Sequence, residues 1–167
     1  AYGEQTAFRY KVKKEIIDKS YNEVNLDSMA VSRALEALGM KGRHVAVIGA
    51  TTYQWIVTYF GIVNSGSVAV PIDAQLPAEA IYELLNRVDV EMLVYDELRA
   101  DVAEAVQEKC PGIRHVVSMQ ACEQTGDVLS LSCLIAENAG AYETEPVPDQ
   151  LCTILFTSGT TGKSKGV

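Results

Sequence analysis

Positive charge is scarce in this chain: 14 Lys and Arg stand against 22 Asp and Glu, for a net charge of −8. No basic stripe is hidden within that balance, which argues against a nucleic-acid surface. Long apolar runs are missing as well. Nothing reaches the length that spans a bilayer, and no signal-peptide pattern is present. There are two histidines, His44 and His115. Each flanks a strand-like run without a Ser or Cys partner at a recognisable spacing, so neither reads as catalytic. The four cysteines, Cys110, Cys122, Cys133 and Cys152, lack any C-x-x-C spacing. They read as free thiols of a reducing cytoplasm, neither disulfides nor a metal site. Internal repeats and low-complexity tracts are absent too.

What remains is ordinary globular material. The 167 residues are 48% apolar and 22% charged, one domain's worth of chain with enough apolar surface for a substantial core. Residues 7–12 and 15–20 interleave β-branched and aromatic residues with charges around Lys13-Lys14, and read as a hairpin. From Asn25 the period becomes helical, with Val31, Ala34, Leu35 and Leu38 on one face. Asn25 and Asp27 compete as caps, and Gly39 closes the helix.

Residues 44–50 form a continuous apolar strand. Thr52 can cap a following helix, 53–65, that carries Trp55, Ile56, Val57, Tyr59, Phe60, Ile62 and Val63. A helix with so little polar face is expected to be buried on several sides, with Trp55 in the core. Strands are expected at 68–72, 92–95 and 113–118. Between them lie a helix started near Pro77 and one capped by Asp96, carrying Leu98, Val102, Ala105 and Val106 and stopped by Pro111. Residues 120–150 are turn-rich, with one amphipathic patch (Leu131, Leu134, Ile135) and an extended connector at 143–149. The acidic pairs Asp96-Glu97 and Glu143/Glu145 read as a cap and a solvated connector, and neither suggests a general base.

Strands alternating with helices imply an α/β fold: an incomplete doubly wound, mostly parallel sheet with helices on both faces, preceded by a short N-terminal β-hairpin. Four runs, 45–48, 68–72, 92–95 and 152–156, are expected to be its buried strands. In such sheets ligands sit beyond the carboxyl ends of the strands.

The stretch at that place is the most informative in the chain. After the apolar run 151–156 come Thr157-Ser158-Gly159-Thr160-Thr161-Gly162-Lys163-Ser164-Lys165-Gly166-Val167. Gly159, Gly162 and Gly166 let backbone approach a ligand closely. Thr157, Ser158, Thr160, Thr161 and Ser164 supply hydroxyls, and successive N–H groups in such a turn make an anion-binding concavity. Lys163 and Lys165 add positive charge to an acidic chain. Together these are the needs of a polyphosphate. The Walker spacing is not met, because Thr157 occupies the place of its first glycine.

What residues 157–167 do resemble is the phosphate loop of the adenylate-forming enzymes: acyl-CoA synthetases, adenylation domains of peptide synthetases, and luciferases. The resemblance extends to Gly42-Arg43-His44-Val45-Ala46-Val47, Trp55, Gly61, Ser65-Gly66-Ser67-Val68-Ala69-Val70-Pro71 and Pro148-Asp149-Gln150-Leu151. It covers the chain from about Phe8 onward, but only the opening part of a full enzyme. Pro71-Ile72-Asp73 with Leu76-Pro77-Ala78-Glu79 looks closest to the long-chain fatty acid CoA ligase branch.

The resemblance implies a carboxylic acid activated by ATP as an acyl-adenylate, with magnesium, and then transferred to coenzyme A. It assigns Thr157, Ser158, Gly159, Thr160, Thr161, Gly162, Lys163, Ser164 and Lys165 to the β- and γ-phosphates. The family's catalytic lysine, its metal-engaging glutamate and its adenine and ribose contacts match nothing here. The chain opens on Ala1 and stops on Val167 within the loop, so both ends are expected to be cut and the chain alone to be inactive. The rival reading is a non-catalytic small-molecule-binding or interaction module that keeps the loop.

Overall fold

The computed structural model describes residues 2–140, 142–143, 149–157 and 165–167. The expected hairpin is present: β1 (Thr6–Val12) pairs antiparallel with β2 (Glu15–Ser20) through a turn in which Lys13 takes a positive φ. Helix α1 (Tyr21–Ala37) follows at once. Its cap is Ser20, not Asn25 or Asp27. The Ser20 hydroxyl accepts from the Glu23 N–H at 3.2 Å, and the Ser20 N–H donates back to Glu23 Oε2 at 2.8 Å. This reciprocal box satisfies two end groups together, which starts the helix before Asn25 is reached. Asp27, displaced from capping, accepts the Tyr53 phenol at 2.6 Å.

Five strands make the main sheet: β3 (His44–Ile48), β4 (Val68–Ile72), β5 (Val90–Tyr95), β6 (His115–Ser118) and β7 (Val128–Ser130). They lie in the order β4-β3-β5-β6-β7, and every pairing is parallel. Helices cover both faces, as parallel strands require. Because side chains alternate along a strand, Ala46 and Ile48 point to one layer and Val45 and Val47 to the other. The first layer is built with α3 (Ala78–Arg87) and α4 (Ala100–Lys109), through Ile81, Leu85, Val102 and Val106. The second is built with α1, α2 (Tyr53–Asn64) and α5 (Leu131–Glu137), through Val31, Leu35, Ile62 and Leu131. Among the described residues no helix is long and apolar enough to cross a membrane.

Thr52 caps α2 as expected, its hydroxyl accepting from the Trp55 N–H at 3.2 Å. The helix is not buried all round, however. Trp55 and Tyr59 are half-buried and stack on one another, and Phe60 is 46% exposed. Val57, Gly61 and Ile62 are buried, and Trp55, Tyr59 and Val63 pack against the core from partly buried positions. Leu98 likewise lies outside α4, in a 3-10 turn (Glu97–Arg99) capped by Asp96, and is 73% exposed. The short strand β7 lies within the turn-rich sequence of 120–150.

The largest departure is the run 152–156. It adjoins the sheet through a single parallel bridge, Ala69↔Thr153, with the Ala69 N–H donating to the Cys152 carbonyl and the Ile154 N–H to that of Ala69, both at 2.9 Å. Leu151 and Leu155 are 54% and 51% exposed. Among the described residues no further strand of the main sheet pairs with this segment on the side away from β4. Its apolar content alone suggested a buried strand.

Candidate functional site

The segment at 150–157 is held to the scaffold at three levels. Gln150 Nε2 donates to the Gly66 carbonyl at 2.6 Å, the hydroxyls of Tyr59 and Thr153 lie 2.9 Å apart, and Ile154 and Phe156 pack against the α3–α4 layer. The direction of the Ala69 bridge makes it run parallel to β4. Thr157 therefore leaves at the carboxyl end of the sheet.

There the chain doubles back. β8 (Phe156–Thr157) pairs antiparallel with β9 (Lys165–Gly166), Phe156 facing Gly166 and Thr157 facing Lys165. Leu155 and Val167 extend the ladder, exchanging N–H···O bonds of 2.9 and 2.8 Å. Directly opposed residues on an antiparallel pair present their side chains on one face. The ribbon thus sets a hydroxyl, Thr157, beside an ammonium, Lys165, and both are exposed. A Cβ at Gly166 would stand 3.2 Å from Ile154 Cγ2, so a glycine here keeps the return strand close to the outgoing one. Of the expected phosphate-binding residues, Ser158, Gly159, Thr160, Thr161, Gly162, Lys163 and Ser164 lie outside the described residues.

The carboxyl ends of β3 and β4 open into a cleft of about 560 Å³, lined by Gly49–Thr51, Trp55, Pro71–Gln75, Leu98 and Arg99. Two buried charged residues shape it. Asp96, 2% exposed, accepts the Ala50 N–H at 2.6 Å and the Leu98 N–H at 3.1 Å. Arg99, 7% exposed, donates from Nη1 to the carbonyls of Ala74 (2.8 Å) and Leu76 (2.9 Å). Its Nε and Nη2 engage Asp101 at 3.0 and 3.1 Å, and this holds the Asp101 carboxyl below its usual value. The connection between β5 and α4 therefore fixes the loops after both β3 and β4. Gly49 is required: it has φ +147°, and a Cβ there would lie 2.4 Å from the Asp96 carboxylate. Sequence reasoning saw in Asp96 only a helix cap and passed over Arg99. Their roles depend on loops 46 and about 25 residues away in the chain.

A second cleft of about 570 Å³ lies at the carboxyl ends of β5 and β6, with Tyr95, Ser118, Ala121, Glu123 and Thr125 on its walls. The two histidines are structural. His44 Nδ1 donates to the Val88 carbonyl, and burial holds His115 below its ordinary pKa, with Arg114 adding to the effect. All four cysteines are unbridged. Among the described residues no three His, Cys, Asp or Glu side chains gather as a metal site. The described part of the loop fits a phosphate by its charge and donors, while a magnesium ligand set is not among these residues.

A family profile described as "AMP-binding enzyme" matches residues 1–167. The chain is 34% identical, over 80% of its length, to a substituted propanoyl:CoA ligase of Mycobacterium tuberculosis, and covers 28% of that protein. It is 28% identical, over 92% of its length, to the long-chain-fatty-acid–CoA ligase of Thermus thermophilus, again covering 28% of it. Nonribosomal peptide synthetases are also among its relatives. Among solved structures it is similar to the anthranilate CoA ligase AuaEII in complex with anthranoyl-AMP, with a TM-score of 0.83 and 25% identity, over 90% of this chain and 29% of that one. The chain spans under a third of the length of these relatives.

Proposed function

This chain belongs to the AMP-binding enzyme family, and from that premise we propose that it is the N-terminal portion of an ATP-dependent acyl-CoA synthetase of the cytoplasm. In the first half-reaction a carboxylate oxygen bonds to the α-phosphorus of ATP and the bond to the β-phosphate breaks, releasing pyrophosphate. In the second, the thiol of coenzyme A takes the acyl group and AMP leaves. Residues 157–165 hold the β- and γ-phosphates. Their hydroxyls and N–H groups, with Lys163 and Lys165, offset the charge that grows on pyrophosphate as the bond breaks. Magnesium on the phosphates would supply further neutralisation.

The observation that carries this reading is the ribbon that sets Thr157 against Lys165 at the carboxyl end of the sheet, with the glycine- and hydroxyl-rich loop between them. A long-chain fatty acid is the favoured substrate, supported by Pro71-Ile72-Asp73 and by the Thermus thermophilus relative. The peptide synthetases among the relatives favour a second reading, in which a carrier-protein thiol replaces coenzyme A. Since the chain spans under a third of its relatives, the 167 residues alone are expected to form no AMP. The test is acid-dependent ATP–pyrophosphate exchange by a full-length protein carrying this sequence, across fatty, aryl and amino acids. Exchange with a fatty acid, followed by acyl-CoA, is the expected result. No exchange with any acid would leave the binding-module reading standing.

A further inference from the structure

Two thiols that the proposed chemistry does not use lie on neighbouring segments near the β6–β7 edge of the sheet, the Cys122 Sγ now 4.0 Å from the Gln120 carbonyl oxygen. Cys122, exposed, lies in the connection from β6 to β7, and Cys133, half-buried, lies in the first turn of α5. The Cys133 Sγ sits 3.6 Å from the Cys122 carbonyl oxygen. Standard bond lengths put that sulfur at most about 6 Å from the Cys122 Cα, a separation that closes to bonding distance when the exposed Cys122 side chain turns toward it and its connection shifts by about 1–2 Å. The surrounding contacts hold the two segments together. Ser130 Oγ donates to the Ala121 carbonyl at 2.6 Å, Ser132 Oγ donates to the same oxygen at 3.2 Å, and the Cys133 N–H donates to Ser130 Oγ at 3.3 Å. No other cysteine competes. Cys110 is buried at 1% exposure. Cys152 flanks β4 at the opposite edge, four strand spacings from β6, roughly 19 Å at about 4.8 Å each.

We propose that Cys122 and Cys133 are a peroxide-oxidisable dithiol, forming a reversible disulfide that ties the β6–β7 connection to α5. The Cys122 thiolate attacks one oxygen of hydrogen peroxide, breaking the O–O bond and giving a sulfenic acid and hydroxide, which takes up the proton the thiol released and becomes water. The Cys133 thiolate then attacks that sulfur and expels hydroxide, which is protonated to a second water. Two thiols lose two electrons and two protons in all, and one peroxide is reduced to two waters. A dithiol reductant reverses the bond by exchange. Ala121, Glu123 and Thr125, which wall the second cleft, belong to the segment being tied, so oxidation fixes one rim of that cleft.

The experiment treats the purified protein with hydrogen peroxide, blocks free thiols, and maps peptides without reductant after cleavage at Glu123 and Asp127, which separates the two cysteines. The expected result is a Cys122–Cys133 cross-link in a monomer, Cys110 and Cys152 still free, and full reversal by dithiothreitol. In Cys133→Ser, dimedone should trap a sulfenic acid on Cys122 in place of the cross-link. Cross-links through Cys152, disulfide-linked dimers, or independent over-oxidation of both thiols in the wild type would each overturn the proposal.

Discussion

Gly49→Ala is the substitution on which the architecture of the first cleft depends most. The residue has φ +147°, where a side chain is strained by about 1–3 kcal/mol. The new Cβ would also stand 2.4 Å from both Cγ and Oδ2 of Asp96 and 2.9 Å from its Cβ, well inside contact distance. Asp96 cannot swing away freely, because it is 2% exposed and accepts two backbone N–H groups. Overpacking of this kind adds about 1–3 kcal/mol, for a total of about 2–6 kcal/mol. In a chain of this length each kcal/mol lowers Tm by about 2–4 °C. Asp96→Ala on its own should cost about 1.5–3 kcal/mol through the lost charged acceptor. It also removes the two nearest clashing atoms, so the double variant should recover about 1–3 kcal/mol relative to the sum of the single changes. Urea denaturation of the four proteins measures that coupling. Additivity within about 0.5 kcal/mol would refute the argument that Gly49 is demanded by the Asp96 carboxylate.

Further consequences follow from the same contacts. Gly61→Ala places a Cβ 2.5 Å from Val31 and 3.0 Å from the Ser28 carbonyl, so thermal denaturation should show a loss of about 1–3 kcal/mol; an unchanged Tm would mean α1 and α2 are not packed this closely. Ser20→Ala removes one half of the box that starts α1, for about 1 kcal/mol, while Asn25→Ala should be nearly neutral. His115 is held below its ordinary pKa by burial first and Arg114 second, so the folded state binds fewer protons than the unfolded one. Its contribution is complete above the unfolded value of about 6.5 and falls as pH drops below it; His115→Gln should flatten that part of the stability profile measured between pH 5 and 7.5, a range set by the same about 6.5.

The parts of the fold that follow from local chemistry were legible in the sequence. The strands at 45–48 and 68–72 are apolar on both sides, which suits a parallel sheet covered on two faces, and Thr52 stands where a cap hydroxyl must. The Ser20-x-x-Glu23 box was also written in the sequence, but the strand-like run ending at Ser20 concealed it. Other features depend on where an element lies in space. Leu151 and Leu155 have core composition yet sit on an edge segment, and the exposed side of Phe60 reflects what covers α2, not its own periodicity. Asp96 and Arg99 matter because three connections converge at one end of the sheet, which no local window contains. The ribbon closing the loop needed the pairing of Thr157 with Lys165, while the loop's chemistry could be read from its residues alone.

The central claim is that this loop acts on the pyrophosphate leaving group. Its most direct test is single-turnover kinetics of each half-reaction in a full-length synthetase carrying these residues, comparing wild type with Lys163→Ala and Thr160→Ala. Pyrophosphate has departed before the thiol attacks, so adenylate formation should slow by roughly 10² to 10³, the loss of a charge or donor aimed at developing charge. Thiol transfer from a preformed adenylate should be nearly unchanged. Equal slowing of both halves would contradict the account and give the lysine to the fold or to domain motion instead.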